Sequence, residues 1–214
     1  MAFDSYTSLQ GEIADYLARD DLVSKIPSFI TLAEAKFNRG LFVRQMEQRS
    51  TALIDPGSDE PEYISLPLDF QSMRRVRVSS VQGKPRLDFK SGVQADEYRQ
   101  SHGDVTGLPK YFTVFGDEIE LIPSPDAAYT VEMVYRRNVP ALSADNPSNW
   151  LLALAPDAYL YGALLESAPY TKEDERIAVW GAGLTAVIDG LNNLGMTSTF
   201  NAGPLTQGSR NPTP

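Results

Sequence analysis

A chain of 214 residues with 42% hydrophobic and 22% charged side chains has the composition of a folded globular protein, and at this size roughly 70% of the unfolded surface can be buried. The formal net charge of −9 works against a surface that wraps nucleic acid, because such binding relies on Lys and Arg displacing counterions at the phosphates. It suits ordinary solubility, or a wall that lines a DNA channel without gripping it. With Cys 0, disulfides, thiolate nucleophiles and Cys-ligated metal sites are excluded, and the fold has to hold by packing.

The N-terminus, Met1-Ala2-Phe3-Asp4-Ser5, has neither a basic region nor an apolar core of a secretion signal. No run approaches the roughly 20 apolar residues that span a bilayer, so synthesis in the cytoplasm and no membrane partner are expected. Tyr6, Leu9, Ile13, Tyr16 and Leu17 then recur at steps of three and four, one face of a helix running to about Arg19. Pro27 suits the first turn of a second helix, where its missing N–H costs little, and Phe29, Ile30, Ala33, Phe37 and Leu41 continue its apolar stripe. The two helices are expected to form an antiparallel hairpin.

After about Arg49 the period changes from helical to alternating, with short β-branched and aromatic runs separated by Pro, Gly and Asp. Residues 51–54, 62–66, 74–78 and 85–89 are candidate strands, the first two split by the turn-rich Asp55-Pro56-Gly57-Ser58-Asp59. Residues 92–101 are compatible with a short helix. The clearest hairpin joins 111–115 to 118–122 through Gly116-Asp117, a two-residue link able to adopt a primed turn. Residues 129–136 add a strand with Val131, Met133 and Tyr135 on one face.

From Asn146 the helical period returns. Pro147 and Pro156 each sit where a helix can begin, followed by the stripe Tyr159, Leu160, Ala163 and Leu164. A last helix is expected over about 172–194, capped by Thr171 with Asp174, with Glu173 and Glu175 at its positive dipole end. Its core face would be Ile177, Trp180, Leu184, Val187, Ile188 and Leu191.

These elements define an α+β fold in which two terminal helical hairpins pack as a helical bundle around an inserted β-rich middle, with an extended C-terminal tail. Residues 1–48 and 146–194 would form the helical core, 49–145 the inserted β-rich domain and 195–214 the C-terminal arm. The arm is dominated by Gly, Pro, Ser, Thr, Asn and Gln and cannot build its own core. Ordering it would cost on the order of 20–40 kcal/mol, whereas burying Met196, Phe200 and Leu205 would return about 1.5–3 kcal/mol each. A fixed shape for the arm therefore calls for another surface, either a foreign subunit or its own domain.

Catalytic and cofactor signatures are sparse. His102 is the one histidine and sits in Ser101-His102-Gly103-Asp104, where a solvated loop residue is the plain reading. No HExxH, GxxxxGK[ST], GxSxG or GxGxxG pattern is present, so no cofactor and no metal are expected. The carboxylates Asp117, Glu118 and Glu120, or Glu173, Asp174 and Glu175, are of the type that glycoside hydrolysis requires, but the second group is already explained by the helix dipole. Arg74, Arg75, Arg77, Lys84, Arg86 and Lys90 concentrate positive charge in the β-rich part. They suit DNA contact, a solvated sheet face or a salt-bridged interface with an acidic neighbouring copy, and the absence of interleaved aromatics disfavours the first.

The segments Tyr129-Thr130-Val131-Glu132-Met133-Val134-Tyr135-Arg136, Asn138-Val139-Pro140-Ala141-Leu142-Ser143 and Asn146-Pro147-Ser148-Asn149-Trp150-Leu151-Leu152 resemble the adaptor, or head-completion, proteins of tailed bacteriophages. So does the run from Ala155-Pro156-Asp157 to Glu166-Ser167-Ala168. In the front half, Ile26-Pro27-Ser28-Phe29 onward resembles the family's second helix and Leu66-Pro67-Leu68-Asp69-Phe70 its first strand exit. The resemblance implies a non-enzymatic virion protein at the head–tail junction: a homo-oligomeric ring, a dodecamer, beneath the portal protein. The ring would extend the DNA channel, let DNA pass without sequence-specific binding, and offer a platform to tail or nozzle proteins. In that picture the C-terminal arm climbs onto the portal, with Phe200, Pro204 and Leu205, its bulkiest or most rigid positions, as contacts. The basic patch would face a neighbouring subunit or the DNA. The competing readings are another phage tail or baseplate structural protein, a small carboxylate-based glycan hydrolase, and a DNA-binding module.

Overall fold

The structure, a computed structural model, describes residues 3–79, 83–103, 105–171 and 175–199. These residues are α+β, as expected. They fall into two compact units, one from the described parts of Met1–Gln45 and Val139–Pro214 and the other spanning Met46–Asn138.

In the helical unit, α1 (Tyr6–Leu17) starts on a reciprocal capping box. Ser8 N–H donates to Ser5 Oγ at 3.3 Å and Ser5 N–H donates to Ser8 Oγ at 3.1 Å, which satisfies two otherwise orphaned donors. Leu9, Ile13 and Leu17 are buried, while Tyr16 of the expected stripe remains exposed. A 3-10 turn over Asp20–Lys25 leads into α2 (Ile26–Gly40), which has Pro27 in its first turn.

The β-rich unit contains β1 (Glu47–Leu53), β2 (Tyr63–Ser65), β3 (Phe70–Ser79), β4 (Asp88–Phe89), α3 (Gly92–His102), β5 (Tyr111–Phe115), β6 (Glu118–Ile122) and β7 (Thr130–Arg137). Its strands form two sheets, ordered β1-β7-β3 and β2-β6-β5-β4. The turn-rich 55–59 segment therefore closes no hairpin. Ala52 of β1 lies opposite Val131 of β7, whereas Ile64 of β2 lies opposite Ile119 of β6 in the other sheet. The β5–β6 hairpin forms as the spacing predicts, with Gly116 at φ 55°. Positive φ at the first central residue alone is the II′ arrangement, which follows strand twist.

Val76, Val78, Val131 and Met133 from the first sheet meet Phe112, Ile119 and Leu121 from the second in one core. Tyr135, also inward-facing, donates its hydroxyl proton to Asp69 at 2.8 Å. Burial first, and Asp69 second, push that hydroxyl up to about 12. The sheets are also joined along one side, where Leu87 N–H donates to Val76 O at 3.0 Å and Val78 N–H to Pro85 O at 3.2 Å. α3 packs against β5, and its Arg99 forms an ion pair with the buried Glu120 of β6.

The chain returns to the helical unit with α4 (Trp150–Leu154), α5 (Pro156–Glu166), α6 (Ala168–Thr171) and α7 (Arg176–Thr199). α4 begins at Asn149 and not at Pro147, because Asn149 Oδ1 accepts from Leu152 N–H at 2.8 Å. Thr171, expected to cap the last helix, is instead the last residue of α6, and its Oγ1 donates to Ala168 O at 3.3 Å. Residues 172–174, including Asp174 of that cap, lie outside the described residues. α7 continues past the expected end at Leu194 to Thr199. Asn192 accepts from Phe42 N–H at 2.7 Å and donates to Gly40 O at 2.9 Å, and the buried Gly195 lies against the backbone of Phe42 and Val43. These tertiary contacts outweigh the roughly 1 kcal/mol that a glycine costs within a helix.

α5 is the central helix, packed against α2, α7, α1 and α4. Its approach to α2 depends on Gly162, where a Cβ would lie 2.9 Å from Phe37 Cζ and 3.0 Å from Ala33 Cβ. A buried polar network crosses the same interface. Glu34 Oε1 accepts from Leu142 N–H at 2.8 Å and from the Tyr159 hydroxyl at 3.1 Å, and Asn149 Nδ2 donates to the Tyr159 oxygen at 2.6 Å. Desolvation raises the Glu34 pKa despite the two hydrogen bonds it accepts, and burial together with the adjacent Glu34 raises that of Tyr159.

Two outcomes are expected. Gly162→Ala gains about 1 kcal/mol of helix propensity but has to displace Phe37 and Ala33, an overpacking that costs roughly 1–3 kcal/mol. Urea unfolding should show a net loss of about 1 kcal/mol, and a gain would mean that α2 and α5 separate freely. For Glu34, the raised folded-state pKa makes its contribution to stability complete below the ordinary value of 4.5 and progressively lost as pH rises through the folded value. Glu34→Gln keeps an acceptor and removes the titration, so denaturation at stepped pH should show a flatter stability profile above 4.5 than the unsubstituted chain.

Candidate assembly surface

The basic residues singled out from sequence lie on and beside β3, whose alternation turns Val76 and Val78 inward and leaves Arg75 and Arg77 on the opposite face. The register sets Arg77 and Thr51 opposite Glu132, and Arg75 and Arg49 opposite Val134. Glu132 is thus a largely covered acid among arginines. It accepts from Arg49 Nε at 3.0 Å and lies 3.8 Å from the Arg75 guanidinium. Arg74, at an irregularity in the β3 register, is 3.9 Å from Glu47. Arg136, on the same strand face as Glu132, is buried, and its pKa is lowered by burial first and by Arg74 second.

An isolated antiparallel bridge pairs Arg77 with Arg86. Arg74, Arg75 and Arg86 then line one groove of about 380 Å³, whose apolar lining includes Phe70, Phe89 and Phe112. Lys84 and Arg86 line a neighbouring hollow together with Lys110 and Tyr111. Lys90 lies over the Tyr111 ring, its Nζ 4.4 Å from the ring centre. The structure therefore gathers Arg74, Arg75 and Arg86, sets Arg77 beside Arg86, and puts Lys84 in an adjoining hollow. Sequence reading missed Arg49 and Glu132, which reach this surface only through the β1–β7 pairing, and it missed the aromatic floor. Phe200, Pro204 and Leu205 lie outside the described residues.

Among the described residues, the carboxylates weighed for hydrolysis are not gathered. Glu120 is committed to Arg99, Asp117 and Glu118 are exposed at the hairpin end, and Glu175 is exposed beside α7. Glu173 and Asp174 fall outside the described residues. His102 ends α3 with its ring stacked on Tyr98 at 4.2 Å and its Nδ1 2.7 Å from Ser101 Oγ. Among the described residues no group of three or more His, Cys, Asp or Glu is placed to hold a metal ion, and no helix is long and apolar enough to cross a membrane.

The sequence profile of the SU10 adaptor protein family matches residues 4–208, nearly the whole chain, and the chain belongs to that family. It is a family of bacteriophage structural adaptors, components of the virion and not a class of enzymes. No curated protein matches the chain.

Glu132→Gln should cost about 1 kcal/mol, the scale of ion pairs whose arginines remain half exposed. It removes the acid that separates Arg49, Arg75 and Arg77, so the loss should shrink as salt screens the remaining repulsion. Urea unfolding at low and high ionic strength checks this, and a loss independent of salt would mean that Glu132 acts through packing instead.

Proposed function

We propose that the chain is the head-to-tail adaptor of a tailed phage virion. In this reading copies form a ring, a dodecamer, beneath the portal protein, extend the DNA channel, and present a platform to tail or nozzle proteins. The observation that carries the reading is the match to the adaptor family across residues 4–208.

Physical features support it. A net charge of −9 disfavours adhesion of a passing duplex, so DNA would move through the lumen without sequence-specific binding. The segment beyond α7 combines Phe200, Pro204 and Leu205 with a run of Gly, Ser, Thr and Asn, a composition that cannot build a core of its own and suits contact with another subunit. We assign its partner as the portal and the site of action as the head–tail junction.

Capture of the portal protein of the same virion tests this. The full chain should retain the portal, and a chain truncated after Thr199, which keeps all of α7, should not. Equal retention by both would remove the arm from the contact, while failure of the full chain to retain the portal would overturn the adaptor reading itself.

A further inference from the structure

An acidic connection and a basic groove lie on opposite sides of the β-rich unit. β1 and β2 are the outer strands on one side of their sheets, and the 54–62 connection joins them there. Within it Asp55, Asp59 and Glu60 are exposed and Glu62 is half-buried, with no Lys or Arg between them. Asp55 accepts from Gly57 N–H at 2.9 Å, and none of the other three forms an ion pair among the described residues. β3 and β4 are the outer strands on the other side, where the groove edged by Arg74, Arg75 and Arg86 lies.

We infer that neighbouring copies of this chain meet through these two sides, the acidic 55–62 loop of one copy seated on the Arg74–Arg75–Arg86 groove of the next. The inference rests on the ring proposed above and names the contact that would build it. Three observations point to a loop bearing carboxylates as the occupant. Arg75 lines the groove, and its Nε is covered yet has no acceptor among the described residues, so its guanidinium is incompletely satisfied. Arg86 is exposed and pairs with no acid among the described residues. β3 has two register shifts over 70–75 in its pairing with β7 and carries Arg74 and Arg75 there, and such irregularity and charge in an outer strand obstruct addition of a further β-strand and leave side-chain docking.

The placement on opposite sides matters as much as the charge. A self-complementary patch would pair two copies and stop. Two different, complementary patches on opposite sides join copies head to tail, which is the interface class that closes into rings. Because each copy carries −9 overall, local complementarity has to overcome general repulsion, and the contact should be set by these few charges.

The lack of cysteine makes site-directed cross-linking of the full chain a clean test. Glu60→Cys combined with Arg86→Cys puts one thiol on each side, and a short bis-maleimide should give a ladder of covalent oligomers on denaturing gels. Either substitution alone should give no more than dimers. Lys25→Cys with Glu60→Cys, which replaces the groove thiol by one on an exposed residue of the helical unit, should give no ladder above that background. Adding Arg74→Glu to the first pair should reduce the ladder by roughly tenfold, the effect of losing about 1.4 kcal/mol, and further adding Asp59→Arg should restore it. A ladder equally strong with the Lys25 control, or one indifferent to charge reversal, would overturn the inference. Self-association seen by sedimentation without the ladder would overturn this contact and leave the ring standing. If sedimentation shows no self-association at any concentration, with or without portal, the ring and the contact fall together.

Discussion

The segment that brings the chain back from β7 to α4 has no regular secondary structure, yet part of it is buried, and buried backbone groups without partners are costly. Side chains of α2, of α4's cap and of the segment itself supply those partners. Val139 N–H donates to Asn38 Oδ1 at 2.7 Å and Leu142 N–H to Glu34 Oε1, while Asn149 Nδ2 donates to Pro140 O at 2.6 Å and Asn146 Nδ2 to Ala141 O at 2.7 Å. Glu34 is the most constrained of them, a carboxylate 5% exposed that has no ion pair among the described residues. It holds the returning segment and Tyr159 of α5 at once, so the seating of the central helix and the path of the connection are decided by the same oxygen.

The β-rich unit handles buried acid differently. Glu120 and Glu132 are both well covered, and each is met by arginine: Arg99 for the first, Arg49 and Arg75 for the second. The Arg99 pair fastens α3 to its sheet. The Glu132 cluster instead spans β1, β7 and β3, relieving repulsion between arginines that strand alternation brings onto one face. Positive charge can therefore accumulate beside the groove without destabilising the sheet beneath it.

Elements whose signals are local were legible in the sequence. The spacing of Tyr159, Leu160, Ala163 and Leu164 gave α5 its buried face, Gly116-Asp117 gave the hairpin, and the alternation of Val131, Met133 and Tyr135 gave the inward side of β7. The division into two sheets was not legible, because β1 finds its partner far along the chain; the Arg49–Glu132 pair spans 83 residues. The end of α7 was misplaced because Gly195 reads as a terminator until Phe42 and Val43 are known to lie against it. The basic groove was half visible: Arg74, Arg75 and Arg86 lie in one stretch of sequence, whereas Phe112 comes from β5 and Glu132 from β7. Glu34 left a usable trace, a lone acid four residues after Ile30 and three before Phe37 on an otherwise apolar stripe.

The chain passes into the β-rich unit just before β1 and leaves it just after β7, and these two strands are antiparallel neighbours with Glu47 opposite Arg136. The two crossing points therefore stand about 5 Å apart, the spacing of one strand pair. Such a junction works like a socket for a graft. The helical host need only tolerate two adjacent stubs, so lineages that keep the host could exchange the whole inserted module for one of different shape without redesigning the body that carries it.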